Sequence, residues 1–356
     1  MKTTTLSLIY IFSVCVIAQD TSALFFASSI NEEDLQKHLY VLASDSLEGR
    51  ETGQKGQKLA ADYIARYFKS VGILPYNGES YYQEFPLLNK KTKNKIKTPA
   101  PKLKRGEKKS REENSRMLKG ENVLGYIEGG DLKEELLVIT AHYDHLGVDA
   151  GKINNGADDN GSGTAAILEM AEAFALAKKE GKGPRRSVLF MLVDGEEIGL
   201  LGSAFYTEHP VFPLENTIAN LNIDMIGRVD KKHEGNPDYI YLIGSDKLST
   251  ELHQISEEAN AEYTHLEIDY TFNAPNDPNR FYYRSDHYNF AKNNVPVIFY
   301  FNGVHADYHK PTDTIEKIHF GKILKITKLI FHTAWQLVNQ DKRIEVDVER
   351  DFKNKR

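Results

Sequence analysis

His142-Tyr143-Asp144-His145, Asp158-Asp159-Asn160, Asp194-Gly195-Glu196-Glu197, Asp224 and His305-Ala306-Asp307-Tyr308-His309 carry the side chains of this sequence that could do chemistry. Gathered at one site, so many carboxylates and imidazoles would be electrostatically costly unless a cation neutralised them. Mixed histidine and carboxylate donors suit zinc and its divalent neighbours, and a carboxylate can bridge two metals. Taken singly, each residue reads as a surface charge or a satisfied polar group; their joint placement is what points to metal. Other chemistries have no support. Gly161-Ser162-Gly163-Thr164-Ala165-Ala166 fits G-x-G-x-x-A, but it follows Asp158-Asp159-Asn160 instead of an apolar strand, and acids would repel a pyrophosphate. The sequence holds no H-E-x-x-H for a single-metal protease and no G-x-S-x-G elbow for a serine nucleophile.

The elements that must position these groups are short apolar runs alternating with helical stripes. Val123–Ile127, Leu136–Thr140, Ser187–Val193, Thr217–Ile223, Tyr239–Ile243 and Pro296–Phe301 read as strands, several of them apolar on both faces. Helical periodicity runs through residues 31–71, with a turn-like Leu47-Glu48-Gly49-Arg50-Glu51-Thr52-Gly53 between two stripes and an end at Gly72, then Thr164–Ala177, Ile198–Thr207, Leu248–Ala259 and about Thr314–Asn339. The alternation predicts an α/β fold: a mixed, mostly parallel central sheet with helices on both faces. Ligands of such sheets bind at the carboxyl ends of the strands. Four strand ends here lead into His142–His145, Asp194–Glu197, Asp224 and His305–His309, so one rim is expected to collect them.

Composition bounds the rest. The chain has 356 residues, 27% charged and 40% hydrophobic, with formal charge −6; that balance argues against a general nucleic-acid binder. One cysteine excludes a disulfide scaffold, and no apolar run is long enough for stable membrane insertion. Residues 1–18, with Lys2 before a short apolar core and small residues near Ala18, read as a signal peptide. The protein is therefore expected to be exported, periplasmic or extracellular; lipid attachment at Cys15 is disfavoured by the bulky Val14. A single domain is expected over 19–340, followed by a charged tail at 341–356. It is interrupted at 89–119, where 13 Lys and Arg stand against 3 acids. A segment so charged cannot bury enough apolar area to offset its ordering entropy, which predicts a disordered insertion.

In their order along the chain, His142-Tyr143-Asp144-His145-Leu146-Gly147, Asn155-Gly156-Ala157-Asp158-Asp159-Asn160-Gly161-Ser162-Gly163, Asp194-Gly195-Glu196-Glu197, Asn222-x-Asp224-Met225-Ile226-Gly227-Arg228 and Asp307-Tyr308-His309-x-Pro311-x-Asp313-Thr314 resemble the motifs of the di-zinc aminopeptidases related to bacterial secreted leucyl aminopeptidases and glutamate carboxypeptidase. The resemblance runs from about Asp34 to the last helix and implies a zinc exopeptidase-like, phosphorylase/hydrolase-like fold. It implies two Zn2+ ions, one on His142 and Asp224, the other on Glu197 and His309, with Asp159 bridging. Asp158 is equally available as a bridge by residue type, and His305 competes with His309; the family pattern selects Asp159 and His309. It further implies Glu196 as general base, Asp144 as acceptor of the second His142 N–H, Tyr308 as oxyanion donor, and a cis bond between Asp159 and Asn160. Arg284-Ser285-Asp286-His287 resembles a segment near the family's substrate pocket and reads equally as a helix start. The activity implied is that of a metallo-aminopeptidase acting on peptide substrates. A glutaminyl cyclase shares the architecture but departs from this chain at Asp307-Tyr308-His309-Lys310-Pro311. A non-catalytic binding domain of the same fold is opposed by the intact ligand set and Glu196.

Overall fold

The computed structural model describes residues 20–87 and 119–349. The expected signal peptide, all but Lys119 of the basic segment 89–119, and the last residues of the tail lie outside them. Three helices come first: α1 (Thr21–Ala27), α2 (Glu32–Leu42) and α3 (Lys55–Val71). Sequence periodicity does not reveal α1, which is only two turns long. Tertiary bonds hold it: Asp20 caps it by accepting from the Ser22 and Ala23 amides, and also takes the Trp335 indole N–H at 2.7 Å. α3 ends as expected at Gly72, whose φ of 85° suits a residue without Cβ.

Strands β1 (Leu74–Pro75), β2 (Tyr82–Pro86), β3 (Lys119–Ile127) and β4 (Leu132–His142) follow, then a small hairpin of β5 (Gly147–Asp149) and β6 (Lys152–Asn154). Next come α4 (Gly163–Lys179), β7 (Arg186–Val193), α5 (Leu201–Glu208), β8 (Thr217–Ile223) and β9 (Tyr239–Ile243). The chain closes with α6 (Thr250–Ala259), β10 (Glu267–Asp269), α7 (His287–Ala291), β11 (Val297–Phe301) and α8 (Phe320–Asn339).

Among the described residues one sheet runs β1-β3-β7-β4-β8-β11-β9-β10, with β2 also paired to β3. Its four central strands β7, β4, β8 and β11 are parallel; β3 runs antiparallel to β7 and β9 antiparallel to β11, while β10 is parallel to β9. The mixed, mostly parallel α/β sheet is thus present. Successive residues alternate faces. Leu137, Ile139 and Ala141 of β4 with Val188, Phe190 and Leu192 of β7 pack towards α4 and α8; Leu136, Val138, Leu189 and Met191 pack with Tyr206 of α5 and Phe290 of α7. α4 is buried nearly all round, and its alanines at 165, 166, 171 and 173 let it lie close between the sheet and α2, α3 and α8.

Some expected boundaries move. α5 starts at Leu201, because Gly199 (φ 116°) and Leu200 (φ 57°) are left-handed. α8 starts at Phe320; the His319 amide donates to the Gly227 carbonyl at 2.9 Å, which holds the preceding residues in a separate turn. The described part of the tail is docked: Ile344 is buried, Arg343 donates to the Thr217 carbonyl and Asp347 accepts from the Thr250 amide. No helix of the described residues is long and apolar enough to cross a membrane.

Candidate metal centre

Register brings the chemistry to one rim. His142 is the last residue of β4 and pairs with Val193, so Asp194–Glu197 begin one step beyond; Asp224 follows β8, which pairs β4 through Thr140 and Asn222. The loop of Ala157–Ser162 crosses this edge before α4. Its entry needs glycine: Gly156 has φ 55°, and a Cβ there would lie 2.2 Å from the Asp159 carbonyl and 2.6 Å from the His145 ring. The Asp159–Asn160 peptide bond is cis.

Two groups of donors meet through Asp159. His142, Asp159 and Asp224 offer one set of mutually close ligand atoms: His142 Nε2 is 3.3 Å from Asp159 Oδ1 and 3.3 Å from Asp224 Oδ1. The other oxygen, Asp159 Oδ2, lies 3.1 Å from His309 Nε2, which is itself 3.2 Å from Glu197 Oε2. His145 enters the same side, with Nδ1 2.8 Å from Glu197 Oε1 and 3.9 Å from Asp159 Oδ2. All five residues given by the resemblance as ligands therefore converge. Donor atoms roughly 3–4 Å apart suit a divalent ion held at about 2.0–2.2 Å from each. Asp159 Oδ2 and Glu197 Oε1 are buried with no hydrogen-bond partner, as expected of atoms built to face a cation.

The two choices left open by residue type resolve by geometry. Asp158 turns away: its Oδ1 accepts from the Gly227 amide at 2.6 Å, and its Oδ2 lies 3.2 Å from His305 Nε2. Asp313 holds the loop by accepting from the Asp158 and Asp159 amides at 3.0 and 3.1 Å. His305 is thus engaged with Asp158 behind the centre, and His309 faces it.

Asp144 departs from its expected role. The His142 Nδ1–H donates to the Asp144 backbone carbonyl at 3.1 Å, while the carboxylate stands 3.7 Å away, beyond hydrogen-bond reach. That carboxylate accepts from Thr52 Oγ at 2.8 Å and from the Glu196 and Glu197 amides at 3.2 and 3.4 Å. It thus orients the loop that carries both glutamates, while the backbone sets the tautomer of His142. Ser285 donates to Asp224 Oδ2 at 2.7 Å and is itself held by Asn222, so the Arg284–His287 segment does reach the site, besides starting α7.

Electrostatics match a demand for positive charge. Burial works against a charged His142, yet Asp224, Asp144 and Asp159 outweigh it and hold the imidazole well above its ordinary range. Burial likewise opposes ionisation of Asp159, but contacts with His142 and His309 keep it well below the usual carboxylate range. Burial pushes the Glu196 carboxyl well up; His142 opposes this, and Asp224, Asp286 and Glu197 add to it. Burial, reinforced by the carboxylates around it, also raises Tyr308, so its phenol keeps its proton.

Beside these groups opens a cleft lined by His142, Asp159, Glu196, Asp224, Tyr308 and His309, with Met225, Phe281, Phe299, Phe301, Val304 and Arg284 along the other wall. Sequence reasoning missed this apolar wall, because it is assembled from β11, the turn before α7 and the loop after β8. It also missed Arg50, which is buried beneath the centre and donates to the carbonyls of Leu42, Tyr143 (2.7 Å), Asn155 (2.7 Å) and Gly156 (3.0 Å). Only its place in Gly49-Arg50-Glu51, a segment read as a turn, marked it.

Residues 122–334 match the sequence model of peptidase family M28. The chain is 26% identical over 231 residues to aminopeptidase YwaD of Bacillus subtilis, covering 63% of this chain and 46% of that protein. It is 30% identical over 211 residues to a probable leucine aminopeptidase of Arthroderma otae, covering 57% and 54%. The chain thus spans about half the length of these curated relatives. Among solved structures, the LapA aminopeptidase of Legionella pneumophila superposes with TM-score 0.67 at 18% identity, covering 95% of this chain and 79% of that one. A zinc aminopeptidase of Bacillus subtilis, BSAP, superposes with TM-score 0.65 at 17% identity, covering 90% and 99%. Those two likenesses establish the fold.

Proposed function

The chain belongs to peptidase family M28, and on that premise we propose that it is an exported two-zinc aminopeptidase that removes N-terminal residues from peptides. The observation that carries this reading is the sharing of Asp159 between two donor groups, with Glu196 lining the same cleft. His142 and Asp224 would hold one zinc, Glu197 and His309 the other, and Asp159 would bridge them. When bound, a zinc pair lowers the pKa of water towards neutrality and polarises a carbonyl.

The remaining steps belong to the chain. Glu196, in the cleft and made basic by its buried anionic surroundings, accepts the proton of the attacking water and returns it to the leaving amine. Tyr308, stacked on His309 with ring centroids 3.8 Å apart, donates its hydroxyl to the oxygen that gains charge. Asp144 holds the Glu196–Glu197 loop in register with these groups. The wall of Met225, Phe281, Phe299 and Phe301 excludes water and suits an apolar first side chain. The carboxylates around the centre suit a free α-amine, which favours cleavage at the N-terminus over internal cleavage.

A panel of peptides with free and acetylated N-termini, run beside a zinc count, tests the proposal. Two zincs per chain and release of free N-terminal residues from the unblocked peptides alone are expected. A zinc-loaded chain that releases none, or that cleaves blocked peptides equally well, overturns it.

A further inference from the structure

We propose that His145 is a further ligand of the second metal, giving that ion two imidazoles while the first has one. The inference rests on the two-zinc reading and concerns a residue to which the family resemblance gives no role. The His145 side chain is wholly buried, and neither ring nitrogen has a hydrogen-bond partner. A buried imidazole normally binds a proton donor or acceptor on at least one nitrogen, since leaving both unmade costs the desolvation of each. Nδ1 faces Glu197 Oε1 at 2.8 Å and Asp159 Oδ2 at 3.9 Å, and those two oxygens are likewise without a hydrogen-bond partner.

At 2.8 Å a well-aimed N–H would make a strong hydrogen bond to Glu197; here the pair is close without being aligned. Three unpartnered atoms of His145, Asp159 and Glu197 that crowd together without bonding one another are arranged as co-ligands are, each directed at a common point. They form a group whose donor atoms all lie within 4.8 Å of one another. His309 completes it, its ring 6.0 Å from that of His145 and inclined at 67°, so the two imidazoles approach Glu197 and Asp159 from different directions.

The backbone fixes His145 in this pose. Its amide donates to the Arg50 carbonyl at 3.1 Å, and Gly156 packs against the ring so closely that no Cβ fits between them. The Arg50 guanidinium in turn ties Gly156 and Tyr143, on either side of His145 in space and sequence. The ring is therefore presented to the carboxylates before any ion arrives, the preorganisation that a ligand requires. Imidazole donors also bias a site towards zinc over magnesium or calcium, so the second position should be the more zinc-selective of the two.

X-ray absorption fine structure on the wild-type protein loaded with two zincs reads the proposal directly: three imidazoles shared between two ions are expected, and two would overturn it. His145→Gln keeps a polar group near Glu197 but removes the imidazole. Losing a group that only orients a ligand weakens binding about 10–100-fold, so a weakening of one zinc by more than ~100-fold, with the other retained, is expected in a competition titration. Unchanged affinity for both ions in a folded variant overturns the assignment. Two tightly held zincs with two imidazoles defeat His145 alone, whereas a wild-type chain that takes up no zinc defeats the two-zinc reading as well.

Discussion

At the residue scale, the proposed function gives the adjacent Glu196 and Glu197 different tasks, because neighbouring side chains at a strand end point in different directions. Glu197 meets both His145 and His309, while Glu196 faces the cleft with Asp224. Glu196→Gln keeps size and polarity but cannot carry a proton; turnover should fall about 10²–10⁴-fold with both zincs retained. Glu197→Gln should instead lose one zinc, with activity partly restored by excess zinc. Metal analysis beside turnover checks both, and the reverse pattern would exchange their roles. His287 gives a second prediction. Burial against Phe299 pushes its imidazole down to about 3, with the nearby Tyr282 backbone opposing the shift. A folded value below the unfolded one means that its contribution is complete above about pH 6.5 and drains as pH falls towards 3, at about 1.4 kcal/mol per pH unit. Neighbouring Asp286, raised to about 7 chiefly by burial, acts in the opposite sense. The comparison of His287→Phe with wild type therefore isolates the histidine. Between pH 6 and 4 the variant should lose less stability in urea titrations than wild type; parallel losses would refute the account.

At the element scale, three segments remote in sequence meet at Arg50: the end of α2, the end of β4 and the loop that carries Asp159. The carbonyls of Leu42, Tyr143 and Asn155 lose this donor once the guanidinium is gone, whereas that of Gly156 keeps the Gly161 amide at 3.1 Å. Burial lowers Arg50 only to about 10, because Asp159, Asp144, Asp313 and Glu197 lie near enough to support its charge. Arg50→Met should destabilise the fold by about 3 kcal/mol or more, since it leaves buried acceptors unpaired and removes the cation beneath an acidic centre. Equilibrium unfolding measures this. A change within 1 kcal/mol, roughly the effect of an ordinary surface substitution, would show that water replaces the side chain there.

At the scale of the molecule, the candidate metal centre sits on the rim of a core built without its side chains. Both sheet faces are covered by apolar residues of α4, α5, α7 and α8, so the fold draws its stability from burial instead of coordination. Chelation should therefore abolish activity while leaving the far-ultraviolet circular dichroism unchanged. The melting temperature should fall and then recover on zinc addition in a concentration-dependent way, by about 2.7 kcal/mol of linkage at a hundredfold excess over Kd. Loss of secondary structure on chelation would mean that the ions are structural.

Much of this was legible in local pattern. Apolar runs such as Ser187–Val193 and Thr217–Ile223 are buried along their whole length, so their composition alone implied a covered, largely parallel sheet. Strand direction then placed His142, Glu196, Glu197, Asp224 and His309 on one edge, since parallel strands share their carboxyl ends. What local pattern could not decide was which atom of each loop faces inward. Asp158 and Asp159 differ only through the Gly227 amide and His305, which claim the first and leave the second free. His142 bonds a backbone carbonyl where a carboxylate was expected, because Asp144 is already taken by Thr52 and the glutamate loop. His145 and Arg50 acquire their places from partners about 50 to 110 residues away. Residue type and period travel with the sequence; the direction of a side chain in a loop depends on which distant donor or acceptor reaches it first, and that is a property of the packed fold.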